Sequence, residues 1–400
     1  MDGAGAEWAL LRGEDALADP SGDVDILIRP KDLPAVRESL GDAGFVEERS
    51  WGSNGHRPFL GYDRSTDRWL KLDLVTRLTF GPAATIDVEA APVLARRVGF
   101  GDVRVLDPRD AFWALLLHAL LDKGSIAPKY REPLRAGAAE ALRGGSPGPV
   151  GAALQSAHAG LDLGVIVTAA DNGRWAELER LAGSLRPAGV GARVASAYRS
   201  AVRRAGWRLG LVKGGAVGVA LLGPDGAGKS TLSGAIAGAF PVPVRSIYMG
   251  LYKKQLRLPP GVGLAARTAL QRVRYTQGLY HRARGRVVVF DRYTHDALVQ
   301  QHARPGLKTK IHRFLLAHAA PDPDLLIVLD LPGQDLFARK GEREPATLEA
   351  MRTGYRALAQ RPGAALVDAG GDFEAERRET IDLIWNSLAR RQRRRAHSRS

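Results

Sequence analysis

The sequence predicts an α/β protein: a C-terminal doubly wound parallel sheet, preceded by a smaller α+β domain with a helical extension. Three observations predict it. In the C-terminal half, apolar runs at Val217–Leu222, Val244–Tyr248, Arg286–Phe290, Leu325–Asp330 and Ala364–Val367 alternate with helical stretches. That is the pattern of a parallel sheet with helices on both faces. A glycine-rich turn, Gly223-Pro-Asp-Gly-Ala-Gly-Lys-Ser-Thr231, lies between the first run and a helical segment. In the N-terminal part, apolar and polar residues alternate with the period of a half-buried strand.

Composition sets the outer bounds. The 400 residues suffice for two or three domains with sizeable cores. With 45% hydrophobic and 25% charged residues the chain reads as an ordinary globular protein. There is no cysteine, which excludes disulfides, thiolate catalysis and cysteine-ligated zinc. The start lacks a basic segment leading into an apolar core, and the most apolar helix, Phe112–Leu121, is too short to cross a bilayer. The expectation is a cytoplasmic protein. A net charge of +15 favours anionic partners. The excess is densest in the acid-free stretch Arg186–Lys213 and in the tail Ala389–Ser400. A solvated tail and a basic helix face are the preferred reading of these segments, ahead of nucleic-acid binding.

Taken in order, residues 1–105 form the first domain. Ser21–Ile28 reads as a strand with Asp23 and Asp25 on one face and Val24 and Ile26 on the other. Asp32 caps a helix running to Leu40. A further strand, Trp69–Val75, turns Asp73 outward with Lys71. Asp23, Asp25 and Asp73 could therefore meet from neighbouring strands, a set suited to Mg²⁺ and to nucleotidyl transfer. Residues 106–212 form a helical extension and basic linker. Asp107-Pro108 opens its first helix as cap and first residue. His118 reads as a satisfied core histidine, and Gly144–Gly151 as a Gly/Pro linker or loop. Residues 213–388 form the C-terminal domain, and residues 389–400 a basic tail.

The turn fits G-x-x-x-x-G-K-[ST] at Gly223, Gly228, Lys229 and Ser230. Gly223, Asp225, Gly226, Ala227, Gly228 and Thr231 complete the expected nucleotide cradle. Its glycines let backbone N–H groups curl around an anion, and the helix start adds its dipole. Lys229 can reach the β- and γ-phosphates of ATP, and Ser230 can ligate Mg²⁺. Asp291 and Asp330 end the third and fourth strands. A carboxylate there can hold Mg²⁺ or orient an attacking oxygen, although Asp330 reads equally as a cap before Leu331-Pro332. Arg292 can clamp an acceptor phosphate. Arg339, Lys340 and Arg343 follow the fourth strand in a lid-like segment that can stabilise charge during transfer.

Two resemblances follow from these residues. The first domain resembles the polymerase-β-like nucleotidyltransferase superfamily through Asp23, Asp25 and Asp73. It departs at Gly13-Glu14, where that superfamily has Gly-Ser. From Val217 onward the chain resembles the thymidylate kinase family of P-loop nucleoside-monophosphate kinases. That resemblance rests on the glycine-rich turn, on Phe290-Asp-Arg-Tyr293, on Pro323–Asp330 and on Arg339-Lys-Gly-Glu-Arg343. It implies ATP and Mg²⁺ as cofactors, Asp225 at the acceptor sugar, Asp291 and Arg292 at the acceptor phosphate and metal, and Arg339 and Arg343 as lid arginines. The thymine pocket matches poorly. Leu270 stands near the expected arginine position, and His295-Asp296 and Gln300-Gln301 replace the usual serine and Tyr-Gln. The acceptor expected is dTMP, another nucleotide or another small molecule. Weak nucleic-acid binding through the tail and a homodimer complete the partner expectations. Two other readings stay open: an NTP-binding regulator, and nucleotidyl transfer by the first domain.

Overall fold

The structure, a computed structural model, describes residues 3, 5–11, 23–48, 55–81, 84–185, 198, 201, 216–250, 262–299, 306–341 and 343–397. Gly13-Glu14, most of Arg186–Lys213, Gln300-Gln301 and Glu342 lie outside the described residues. The chain divides into two units, Met1–Gly61 with Leu70–Arg208, and Tyr62–Trp69 with Leu209–Ser400.

The chain begins with strands β1 (Trp8–Leu10) and β2 (Asp23–Ile28), helix α1 (Leu33–Asp42), and strands β3 (Val46–Glu47), β4 (His56–Asp63) and β5 (Arg68–Val75), all in the first unit except the adjoining ends of β4 and β5, Tyr62–Asp63 and Arg68–Trp69. Strands β6 (Arg77–Phe80) and β7 (Ile86–Glu89), helix α2 (Ala90–Leu94), and strands β8 (Val98–Phe100) and β9 (Val103–Val105) follow. Among the described residues, seven strands form one sheet in the order β3-β4-β5-β2-β1-β9-β8, and β6 and β7 pair separately. The alternation in β2 sends Val24, Ile26 and Ile28 into a core with Val36 and Leu40 of α1. Leu27 enters a second core on the other face. Asp23 and Asp25 share that second face but precede the part it covers.

The second core belongs to the helical extension: α3 (Pro108–Leu117), α4 (Pro128–Leu142), α5 (Gly148–Ala157), α6 (Leu163–Asp171) and α7 (Trp175–Leu185). Asp107 caps α3 by accepting the Arg109 N–H at 3.0 Å. Phe112, Trp113, Leu134, Leu154 and Ile166 bury with Leu27, Val75 and Phe80 in one cluster. Sheet and extension thus share a core. His118 pairs its Nδ1 with Asp122 at 3.1 Å in a π-helical turn after α3. The Gly/Pro stretch expected as a linker or loop is non-helical over 144–147 and helix from Gly148, where α5 starts. The reason is a long-range cap. The fully buried Asp110 accepts the Val150 N–H at 3.2 Å and an Arg96 Nε–H at 3.0 Å, satisfying a helix-start donor.

The second unit contains β10 (Gly218–Leu222), α8 (Lys229–Ala239), β11 (Val244–Tyr248), α9 (Val262–Ala283), β12 (Val287–Asp291) and α10 (Leu307–Ala317). It continues with β13 (Leu325–Asp330), α11 (Gly333–Lys340), α12 (Pro345–Ala359), β14 (Ala364–Asp368) and α13 (Phe373–His397). The sheet order is β11-β12-β10-β13-β14, and every neighbouring pair is parallel. Strands β10, β12 and β13 are buried almost throughout, because helices cover both faces of such a sheet. The chain leaves β10 toward β11 and β12 on one side and later fills β13 and β14 on the other. Strand order therefore reverses at β10, where open α/β sheets bind ligands beyond the carboxyl ends.

Candidate functional site

The glycine-rich turn occupies that switch point. Gly223 has φ +147°, and a Cβ there would stand 2.9 Å from the Leu329 carbonyl oxygen. Only glycine fits so close to β13. Gly228, at φ +90°, turns the chain into α8. Ala227 is fully buried, whereas Ser230 and Thr231 are exposed at the helix start. The first N–H groups of a helix have no intrahelical partner, so this start can receive an anion. The Lys229 ammonium is buried and donates to the Gly223 and Pro224 carbonyls at 2.9 and 2.7 Å. Burial pulls it below the ordinary lysine range, while Asp296 and Asp291 act to raise it.

Ser230 donates its hydroxyl to Asp291 Oδ2 at 2.8 Å. A loop hydroxyl and a strand-end carboxylate thus share one point beside the turn. Both are hard oxygen donors of the kind Mg²⁺ takes. Among the described residues no group of three His, Asp or Glu side chains gathers as a metal site. An ion held by Ser230 and Asp291 would draw its other ligands from phosphate oxygens and water, which is how Mg²⁺ is usually bound beside nucleotides.

Arg292 follows Asp291 with φ +67°, a left-handed conformation that costs a non-glycine residue free energy. Its guanidinium pairs with Asp225 of the turn and lies 3.5 Å from Asp296 Oδ2. Asp296 is buried, and the Tyr355 hydroxyl donates to its Oδ1 at 3.0 Å. Burial pushes the Asp296 carboxyl upward, and Arg292 and Lys229 hold it down. Sequence reasoning noted Asp296 only as a departure from the usual serine and missed its role as the second carboxylate on Arg292. The available signal was its place five residues after Asp291, on the turn Thr294–Leu298. His295 faces away from this network, with Nε2 3.1 Å from Asp322. On α9, Arg274 donates to the Gly250 carbonyl at 3.4 Å and lies over the Tyr248 ring.

The segment after β13 splits. Lys340 and Arg343 line a small pocket with Asp225, Leu336, Leu348 and Met351. The Arg339 guanidinium instead donates to the Ala369 carbonyl at 3.2 Å. Asp330 accepts two Arg352 hydrogen bonds at 2.7 and 2.8 Å, which hold its carboxyl below the usual range. One helix, α12, therefore supplies Met351 beside Arg343, Arg352 to Asp330 and Tyr355 to Asp296.

In the first unit, β2 and β5 are parallel with Asp25 directly opposite Asp73 and Asp23 opposite Lys71. Asp23 lies 3.8 Å from the Lys71 ammonium, and Asp73 pairs with His56 Nδ1 at 2.6 Å. Nearby Glu48 is pushed up to about 7 by burial, against the pull of Lys71 and with a further push from Asp23.

No family model matches the chain. No curated protein matches it either. Among solved structures, the thymidylate kinase from Candida albicans is similar over 42% of this chain and 89% of its own, at 18% identity and a TM-score of 0.34.

Proposed function

We propose that the second unit is an ATP-dependent phosphotransferase that passes the γ-phosphoryl group to a small acceptor, with dTMP or another nucleoside monophosphate as the first candidate. The observation that carries this reading is the 2.8 Å contact between Ser230 and Asp291 beside a glycine-rich turn at the switch point of a parallel sheet. The turn and the start of α8 bind the phosphates, and Lys229 exchanges its loop carbonyls for phosphate oxygens. Ser230 and Asp291 would hold Mg²⁺, which supplies charge neutralisation when bound. Asp225 and Arg292 orient the acceptor, while Lys340 and Arg343 face the same pocket and offset charge on the transferring group. The decisive experiment is Mg²⁺-dependent ADP production with and without dTMP and other acceptors. Acceptor-stimulated turnover that disappears in Lys229→Ala is the expected result. ATP binding without stimulation by any acceptor would favour a regulatory NTP-binding protein.

A second reading, nucleotidyl transfer by the first unit, is favoured by the register that sets Asp25 against Asp73. Label transfer from α-labelled ATP, lost in Asp25→Asn, would support it.

A further inference from the structure

The second unit carries a surface that phosphoryl transfer does not use. Between Gly226 and Phe290, and again between Val299 and Pro321, the sequence has no acidic residue. Helices α9 and α10 come from these two stretches and pack against each other.

On α10, Leu307, Ile311 and Phe314 are 75%, 53% and 59% exposed, and Leu315 is also exposed. Their spacing of four, three and one places them on one arc of the helix. Leu316 lies on the opposite side and is buried. Lys308 and Lys310 are exposed and flank the apolar arc on either side. On α9, Leu270, Val273 and Tyr280 are exposed, with Arg267 and Arg272 exposed beside them. Between α9 and the end of α10 opens a groove of about 650 Å³, whose lining includes Arg272, Leu279, His318, Arg361 and one exposed acid, Asp322, which pairs with His295.

We infer that the α9–α10 face docks on an anionic lipid surface. Charge complementarity selects this occupant. A second copy would bring the same lysines and arginines of α9 and α10 against themselves, with Asp322 at the groove, already paired with His295, as the acid beside them. Nucleic acid would satisfy the lysines and arginines but leave Leu307, Ile311 and Phe314 in water. An anionic leaflet satisfies both sets: headgroups meet the lysines, and the interfacial hydrocarbon takes the apolar arc. The flanking lysines can lie their stems along the arc and keep their ammonium groups among the headgroups.

The test is sedimentation of the full chain with vesicles of mixed phosphatidylcholine and phosphatidylglycerol, and with phosphatidylcholine alone. Partition to the mixed vesicles only is expected, weakening with salt. Ile311→Glu combined with Phe314→Glu should lower it about tenfold or more. Lys308→Gln and Lys310→Gln should each lower it about fivefold. Arg393→Gln with Arg394→Gln, in the basic tail, should leave it nearly unchanged. The substituted α10 side chains are exposed, and circular dichroism verifies the fold. Partition that survives Ile311→Glu/Phe314→Glu overturns the inference, because another surface then binds the lipid. Protein left in the supernatant with mixed vesicles also overturns it, whether the face proves bare, binds duplex DNA or joins two copies.

Discussion

The Tyr355 hydroxyl donates to Asp296 Oδ1 at 3.0 Å, tying α12 to the buried carboxylate beside Arg292. Tyr355→Phe removes the donor without opening a cavity and should cost about 1–2 kcal/mol in urea unfolding. Arg292→Ala should cost more, about 3–5 kcal/mol, because Asp296 is left as a buried charge without its closest cation. Adding Asp296→Asn to Arg292→Ala should return part of that loss. Additive losses in this double-mutant cycle would mean that the two side chains are not coupled.

Ser230→Ala should leave unfolding free energy within about 1 kcal/mol of the parent, since the lost bond is exposed. The Mg²⁺ concentration needed for half-maximal acceptor-dependent turnover should rise about tenfold or more. An unchanged Mg²⁺ requirement would remove Ser230 from the ion's ligand set.

Gly223→Ala places a Cβ 2.9 Å from the Leu329 carbonyl at a backbone φ of +147°. Both the contact and the conformation oppose it. A loss of about 2–4 kcal/mol in stability is expected, together with weaker ATP binding by titration calorimetry. Gly228→Ala meets nothing within 4 Å and suffers only the left-handed φ of +90°, so its loss should be smaller.

Glu376 is 8% exposed, and burial pushes its carboxyl up to about 7, against Arg339 and with a further push from Asp368. The native state therefore binds a proton that the unfolded chain has released between the ordinary glutamate value of 4.5 and about 7. Stability contributed by this group is complete below that window and is lost as pH rises through it. Glu376→Gln should stabilise the protein by about 1–2 kcal/mol at pH values above 7 and change little below 4.5. Urea unfolding at both ends of the window checks the sign.

Much of the second unit was legible because its signals are local. Five apolar runs became five parallel strands, with boundaries displaced by one residue at most. The turn motif carried its own geometry, since glycines at positive φ and a helix start are properties of a short segment. The linker reading at Gly144–Gly151 failed in part because Asp110, far away in sequence, caps the helix there. No local pattern announces such a partner. The two arginines expected in a lid diverged for the same reason: Arg339 and Arg343 look alike in sequence, but only the latter lines the pocket with Asp225.

By itself the sequence determined the periodicities, the glycine-rich turn before a helix and the placing of acids at strand ends, because these depend on neighbours a few residues apart. Tertiary structure decided which charges meet. It set Ser230 against Asp291, enclosed Arg292 between Asp225 and Asp296, gave Asp330 to Arg352, and laid Asp25 opposite Asp73. Those pairings depend on strand order, register and helix packing. Each is fixed by burying apolar faces; strand alternation anticipated the meeting of Asp25 and Asp73, and the other pairings are not visible in the order of the charged residues along the chain.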